Sequence, residues 1–362
     1  MAASAGGRKL GWTVGFPWRR IILTLAAIGI GVFVLIGSYR TLTLPDAERI
    51  IAETWFQLMV RGLALGAVYA LIALGYTLVY GILRTINFAH GEVFMAGAFG
   101  SYFFAAAFAE SGFLDRHIVV SVIVLLLSSM AVSVGVAVLL ERVAYRPVRR
   151  APRVVPLITA IGASLFLQGT FSGFFGPDFK GYPKPEILGG QWELFGVTVK
   201  RTDIVVFLTM VVAVAALQYF VRRTTTGKSM RAVAYDREIA SLMGIDVDRV
   251  VLTTFAIGGL LAGIAAVLYS MTFGQIGPFM GFLPGIAAFT AAVLGGIGSI
   301  GGAALGGLLL GILQSVGPYL LLSGFHVPSP FQLKDVVTFS VLVLVLLFRP
   351  AGLLGSEEVD RL

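Results

Sequence analysis

The sequence predicts an all-α polytopic integral membrane protein with about ten transmembrane segments, one of them short enough to be re-entrant. Three observations predict it. Of the 362 residues, 57% are hydrophobic and only 13% are charged, where a soluble domain carries about 25% charged residues. Apolar runs of the roughly 20 residues that cross a bilayer as a helix recur along the whole length. With the N-terminus in the cytoplasm and the sides alternating, two thirds of the 27 Lys and Arg residues fall on the cytoplasmic side, as the positive-inside rule requires. The formal net charge of +8 therefore describes insertion into a membrane, and no nucleic-acid partner is expected.

Residues 1–20 contain Arg8, Lys9, Arg19 and Arg20, and the apolar run that follows is longer than that of a secretory signal. It has no small-residue cleavage site, so a retained anchor helix is expected over 20–39. Residues 1–54 are read as a basic N-terminus with this extra helix, and 55–362 as the main transmembrane domain. Its spans are expected near 57–81, 87–109, 118–140, 156–175, 203–221, 251–272, 284–298, 300–321 and 332–348, which leaves both termini cytoplasmic. The run 284–298 is short and rich in Gly, so a broken or re-entrant helix is an alternative there. The 45 glycines suit helices that approach closely in lipid. The absence of Cys removes disulfides and thiol chemistry.

Three loops carry information. Residues 141–153 place Arg142, Arg146, Arg149, Arg150 and Arg153 on the cytoplasmic face, where they set topology or meet anionic head groups or a partner's acids. On the other side, 176–201 is too rich in Pro and Gly for a long helix, and Phe179, Tyr182 and Trp192 in it suit the membrane interface or a partner. The third loop, 222–250, is cytoplasmic. Gly227 ends the preceding structure. Tyr235, Ile239, Leu242 and Met243, at i, i+4, i+7 and i+8, form one apolar face of a short amphipathic helix. Gly244 supplies a left-handed stop with Ile245 as its apolar partner, and Asp246 caps the next helix. The letters T-G-K-S at 226–229 lack the first Gly of a phosphate loop, since Arg222 stands there, and no strand precedes them. ATP hydrolysis is not expected in this chain.

Inside the spans, Arg61, His90 and Glu92 are expected near span ends, with nothing ionisable at a midplane, so no proton relay is suggested. Asn87 is placed to cap a helix start and Gly91 allows close backbone approach, which suits either a broken helix at a gate or a surface cap with Glu92 paired to Arg84. His90 and Glu92 have no third residue for a metal site. Tyr69, Thr77, Gln168, Thr290 and Gln314 are candidates for a polar path, and each equally suits an interhelical hydrogen bond worth about 0.6 kcal/mol. Gly295 and Gly296 suit a tight helix crossing or a gate hinge.

E-I-A-S-L-M-G, Glu238 to Gly244, resembles the E-A-A-x-x-x-G loop of ABC-transporter permeases. Ile239 replaces the second Ala, and the I-x-L-P that often follows the Gly is absent. Longer stretches, G-Y-T-L-V-Y-G-I-L-R-T-I-N-F-A-H-G-E-V-F-M-A-G (75–97), E-R-V-A-Y-R-P-V-R (141–149), L-I-T-A-I-G-A-S-L-F-L-Q (157–168) and A-F-T-A-A-V-L-G-G-I-G-S-I-G-G-A (288–303), are similar to bacterial branched-chain amino acid ABC permeases of the LivH type. The resemblance covers about 55–360; the first 50 or so residues depart from it. It implies an ABC importer permease fold in the bacterial inner membrane and a transporter subunit rather than an enzyme. Coupling to an ATPase would then fall to Met230, Tyr235, Glu238, Ile239, Ala240, Leu242, Met243 and Gly244. The implied partners are a LivM-type second permease, LivG- and LivF-type ATPases that hold ATP and Mg, an extracytoplasmic binding protein, membrane lipid and an amino acid substrate, with no cofactor in this chain. A related importer of urea, short amides or sugar is the rival reading. A passive channel, the other rival, needs no docking helix.

Overall fold

A computed structural model describes residues 18–45, 50–149, 151–152, 154–194, 197–349 and 351–355. Arg8, Lys9, Arg150 and Arg153, with the side chains of Arg19 and Arg20, lie outside the described residues. The elements are α1 (Trp18–Leu42), α2 (Ala52–Leu83), α3 (His90–Glu110), the single turn α4 (Phe113–Arg116), α5 (Ile118–Leu140), α6 (Val154–Phe175), β1 (Lys180–Gly181), α7 (Glu186–Gly189), β2 (Gln191–Leu194) and β3 (Val197–Lys200). They continue with α8 (Arg201–Arg223), α9 (Thr225–Tyr235), α10 (Arg237–Leu242), α11 (Val247–Phe273), β4 (Gln275–Ile276), α12 (Phe282–Gly295), α13 (Ile300–Leu322) and α14 (Lys334–Phe348). A helix stands at each of the ten expected spans. Among the described residues, eight are long and apolar enough to cross a membrane. The 14 residues of α12 reach only about 21 Å, short of the roughly 30 Å hydrocarbon core.

The chain divides into two compact units. The smaller combines residues 1–49 with 319–330. Within it the Thr41 hydroxyl accepts from the Gly324 amide at 2.8 Å, and Phe33 stacks on Phe325 with ring centroids 6.0 Å apart.

The larger unit, 50–318 with 331–362, is organised around α2. The most apolar stretch of α2 is 94% buried, against 6% for the segment that contains α14. An apolar helix buried on all sides is a bundle centre; one exposed on most sides presents its surface to lipid or to other helices. Glycine sets the closest approaches. Gly62 and Gly66 of α2 face α13, where a Cβ on Gly66 would lie 2.7 Å from the Gly307 carbonyl oxygen and one on Gly62 2.8 Å from the Ile312 Cα. This is the small-xxx-small packing that lets backbones touch where lipid offers no hydrophobic drive. Serine supplies the polar links: Ser129 of α5 donates to the Gly263 carbonyl of α11 at 2.8 Å, and Ser133 to the Val93 carbonyl of α3 at 3.0 Å.

The loop 176–200 forms no long helix among the described residues. β2 and β3 make a hairpin, and β1 pairs antiparallel with β4 in the α11–α12 connection. Tyr182 belongs to neither an interface nor a partner surface: it is buried and its hydroxyl donates to Ser101 at 2.9 Å, whereas Phe179 and Trp192 are exposed. Burial pushes the Tyr182 phenol up to about 12, with the Ser101 hydrogen bond pulling it back.

At the opposite end, Arg146 and Arg149 are not free for lipid. Both pair with Asp248 at the start of α11, at 2.7 and 2.6 Å, and Arg149 also pairs with Glu141. These bonds tie the turn after α5 to the foot of α11.

Candidate functional site

The segment 222–250 folds as two helices rather than one. Thr224 caps α9 through its hydroxyl, which accepts from the Gly227 amide at 3.0 Å. Gly227 thus lies in the first turn of α9 instead of ending α8, where its missing Cβ leaves room for the Phe220 and Val221 carbonyls. Asp236 then breaks the run: its carboxylate accepts from the amides of Glu238 and Ile239 at 2.8 and 2.9 Å and caps α10. An aspartate at this position satisfies two of the amides that a helix start leaves open. At the far end Gly244 has φ +82. Its amide donates to Ser241, and that of Ile245 to the Ala240 carbonyl at 3.1 Å, a Schellman stop. Asp246 caps α11 by accepting from the Arg249 amide at 3.0 Å.

The split divides the predicted coupling residues. Met230 and Ala240 are buried at 3% each, facing the bundle. Tyr235, Ile239, Leu242 and Met243 are 78, 57, 86 and 77% exposed, with Glu238 and Gly244 exposed beside them. Four large apolar side chains held outward, Tyr235 at the end of α9, Ile239 and Leu242 on the capped six-residue α10 and Met243 just after it, form a contact surface rather than a core. Arg237 fixes that helix to the bundle by donating to the Ile82 carbonyl at the end of α2. Burial lowers the Arg237 pKa, helped by the charges of Arg149 and Arg84.

A second polar centre lies inside the bundle. His90 and Glu92 are 2 and 1% exposed, enclosed by the bundle rather than open to its surroundings. The His90 ring packs between Gly75 of α2 and Gly258, near the middle of α11. The side chain that opens α3 is therefore enclosed between α2 and α11. Asn87 does not cap the helix: Ala89 is the N-cap residue and contributes no side-chain bond, while the Asn87 Oδ1 accepts from the Tyr145 hydroxyl at 2.8 Å. The Glu92 Oε1 accepts from Ser164 at 3.1 Å and Gln168 at 2.7 Å, both on α6, so the surface pairing with Arg84 is not the one formed. A pocket of about 270 Å³ opens beside it, lined mainly by apolar side chains of α6 and α12. No cluster of three or more potential metal ligands occurs among the described residues.

Residues 58–346 match the family model described as "Branched-chain amino acid transport system / permease component". The chain belongs to this permease family. It is 42% identical over 312 residues to the high-affinity branched-chain amino acid transport system permease protein LivH of Salmonella typhimurium, covering 85% of this chain and 97% of the relative. It is 43% identical over 316 residues to BraD, the corresponding permease protein of Pseudomonas aeruginosa, covering 85 and 98%. A probable LivH of Methanocaldococcus jannaschii is 27% identical over 293 residues, covering 79 and 88%. A comparison with solved structures finds no match. The relatives are transporter permeases, not enzymes, and the family match begins after α1.

Within this permease the remaining polar candidates separate. The Tyr69 hydroxyl donates to the Gln314 Oε1 at 2.7 Å, and Gln314 donates to Thr338, so α2, α13 and α14 are joined by a buried hydrogen-bond chain. Thr290 bonds back to the Ile286 carbonyl of its own helix at 2.9 Å. Thr77 has no hydrogen-bond partner for its buried hydroxyl among the described residues and lines a small cavity with Met230 and Arg231 of α9. Gln168 reaches both Glu92 and the 270 Å³ pocket, as does Ser164 one turn before it. Gly295 packs on the Gly302 backbone. Gly296 has φ +102, and the carbonyls of Leu294 and Gly295 accept from the Leu353 and Leu354 amides at 2.8 and 2.9 Å. Ser164 and Tyr76 are site residues that the sequence reading missed. Ser164 was legible as the i−4 neighbour of Gln168, on the same face of the helix.

Proposed function

We propose that this chain is a transmembrane permease subunit of an ATP-driven importer of branched-chain amino acids. In this reading it sits in the bacterial cytoplasmic membrane with both termini inside and forms half of the translocation path. The other half is a LivM-type permease. ATPases of the LivG and LivF type hold ATP and Mg, and an extracytoplasmic binding protein delivers leucine, isoleucine or valine to the 176–200 side.

The observation that carries this reading is the exposed apolar tip of α10 on a bundle of this permease family. Tyr235, Glu238, Ile239, Leu242, Met243 and Gly244 would seat in a groove of an ATPase, with Met230 and Ala240 transmitting the movement inward. Through Arg237 that movement bears on the end of α2, the central helix. Asn87, Gln168 and Thr77 are the path residues that the geometry favours, and Gly295 and Gly296 form a fulcrum held by the C-terminal tail. Tyr69 and Gln314 hold helices in place, and Thr290 bonds within its own helix.

Co-purification of the tagged chain from its native membrane tests the assembly. Recovery of a second permease and two ATPases is expected, and recovery of this chain alone would reject it.

A further inference from the structure

The last turn of α12 is completed by a distant part of the chain. A helix leaves its last four carbonyls without partners of its own, and in α12 these belong to Ala292, Val293, Leu294 and Gly295. The Gly296 amide serves the first two, at 3.0 and 3.2 Å. The Leu353 amide donates to the Leu294 carbonyl at 2.8 Å, and the Leu354 amide to the Gly295 carbonyl at 2.9 Å. All four carbonyls are satisfied, the last two by the C-terminal tail.

Backbone shape makes this contact close. The tail leaves α14 at Arg349 and turns at Gly352, whose φ is +74 and whose amide donates to the Arg349 carbonyl at 2.8 Å. Gly296 has φ +102, a conformation that residues with a Cβ rarely adopt. A Cβ on Gly352 would lie 2.5 Å from the Gly296 Cα, and one on Gly296 would lie 2.6 Å from the Gly355 Cα. Leu353 and Leu354 are 38 and 53% exposed, so the grip is made by main-chain amides and glycines more than by side chains. What it grips is the wall of two cavities. Phe282, Gly285 and Ile286 of α12 line the pocket of about 270 Å³, and Phe289 and Ala292 line a smaller one with Asn87. All five belong to one short helix, so a shift at its last turn moves both walls.

We propose that residues 351–355 are a positioning strap: the Leu353 and Leu354 amides cap α12 and stay bonded to it throughout the working cycle, which fixes the α12 wall of both cavities. The strap rests on the backbone geometry, and its bearing on transport rests on the function proposed above. Opening it would strand two carbonyls of the last turn, and unpaired backbone groups are costly where water is scarce.

The test follows the purified complex by hydrogen exchange resolved to single amides. In the wild type the Leu353 and Leu354 amides should exchange at least about a hundredfold more slowly than in the free peptide, at rest and during ATP hydrolysis, whereas an unbound terminus shows almost no protection. Exchange at the free-peptide rate in either condition overturns the proposal, without relying on a variant that folds. A second readout separates positioning from general support. The chain has no Cys, so Ile286→Cys gives a single thiol in the pocket wall. Leu354→Pro removes one amide donor and should change the alkylation rate of that thiol several-fold. Leu354→Ala, which keeps the donor, and Gly66→Val, which strains the bundle elsewhere, should leave the rate unchanged. Equal rates in the two Leu354 variants, or the same shift in Gly66→Val, overturn the positioning role. Leucine uptake separates the strap from the proposed function. Protected amides in a complex that takes up no leucine keep the strap and reject the substrate; leucine uptake with unprotected amides keeps the substrate and rejects the strap.

Discussion

The guanidinium of Arg237, the first residue of α10, donates to the backbone carbonyl of Ile82, one residue from the end of α2. This bond joins the exposed tip of α10, the proposed docking surface, to the helix at the bundle centre. It also satisfies a carbonyl of the last turn, which has no partner within the helix.

Arg237→Ala is therefore expected to uncouple the two halves of the cycle. The ATPases should still bind, because the tip remains exposed, while amino acid moved per ATP hydrolysed falls several-fold. Simultaneous measurement of hydrolysis and uptake in proteoliposomes gives that ratio. An unchanged ratio would show that Arg237 only braces the loop.

Glu238→Lys combined with Leu242→Asp should abolish uptake and ATPase recovery with the protein inserted and folded. Both side chains are exposed, Leu242 to 86%, and substitutions at such positions usually change stability by no more than about 0.5 kcal/mol. Normal uptake by a variant with wild-type thermal unfolding would sink the docking assignment.

Helix crossing and helix propensity give opposite outcomes on α2. A Cβ at Gly66 meets the α13 backbone at 2.7 Å, whereas one at Gly81 meets nothing within 4 Å. Gly66→Val is expected to destabilise by about 1–3 kcal/mol through overpacking, and Gly81→Ala to stabilise by up to about 1 kcal/mol. Thermal unfolding in detergent measures both.

Tyr182 makes the 176–200 loop sensitive to alkali. Its folded pKa of about 12 lies above the value near 10 of an unfolded tyrosine, so the unfolded chain releases its proton first as pH rises. The stabilisation is complete below about pH 10 and is lost between about 10 and 12. Proteolysis of 176–200 should accelerate over that range in the wild type, and the Tyr182→Phe variant should lack this transition.

The spans were legible because helices in lipid must be long and apolar and must satisfy their own backbone, and the stop at Gly244 with the cap at Asp246 was legible because both are local. Contacts between distant segments were not. Asn87 has the residue type of a cap, yet its oxygen is taken by Tyr145, 58 positions away. Glu92 looked like a surface carboxylate because Ser164 and Gln168 lie more than 70 positions along the chain. Tyr182 looked interfacial because the pairing of β1 with β4, which buries it, joins residues 180–181 to 275–276. The apolar face from Tyr235 to Met243 had the right exposure and the wrong continuity: Asp236 interrupts it, because aspartate is a strong helix start and here caps α10.

The central claim is tested most directly by ATP-driven uptake of labelled leucine into proteoliposomes that contain the co-purified complex, with its binding protein outside. Accumulation that requires ATP and the binding protein, with isoleucine and valine as competitors, is the predicted result. Uptake that runs only down a gradient and ignores ATP, or that is competed by urea, a short amide or a sugar instead, would contradict it.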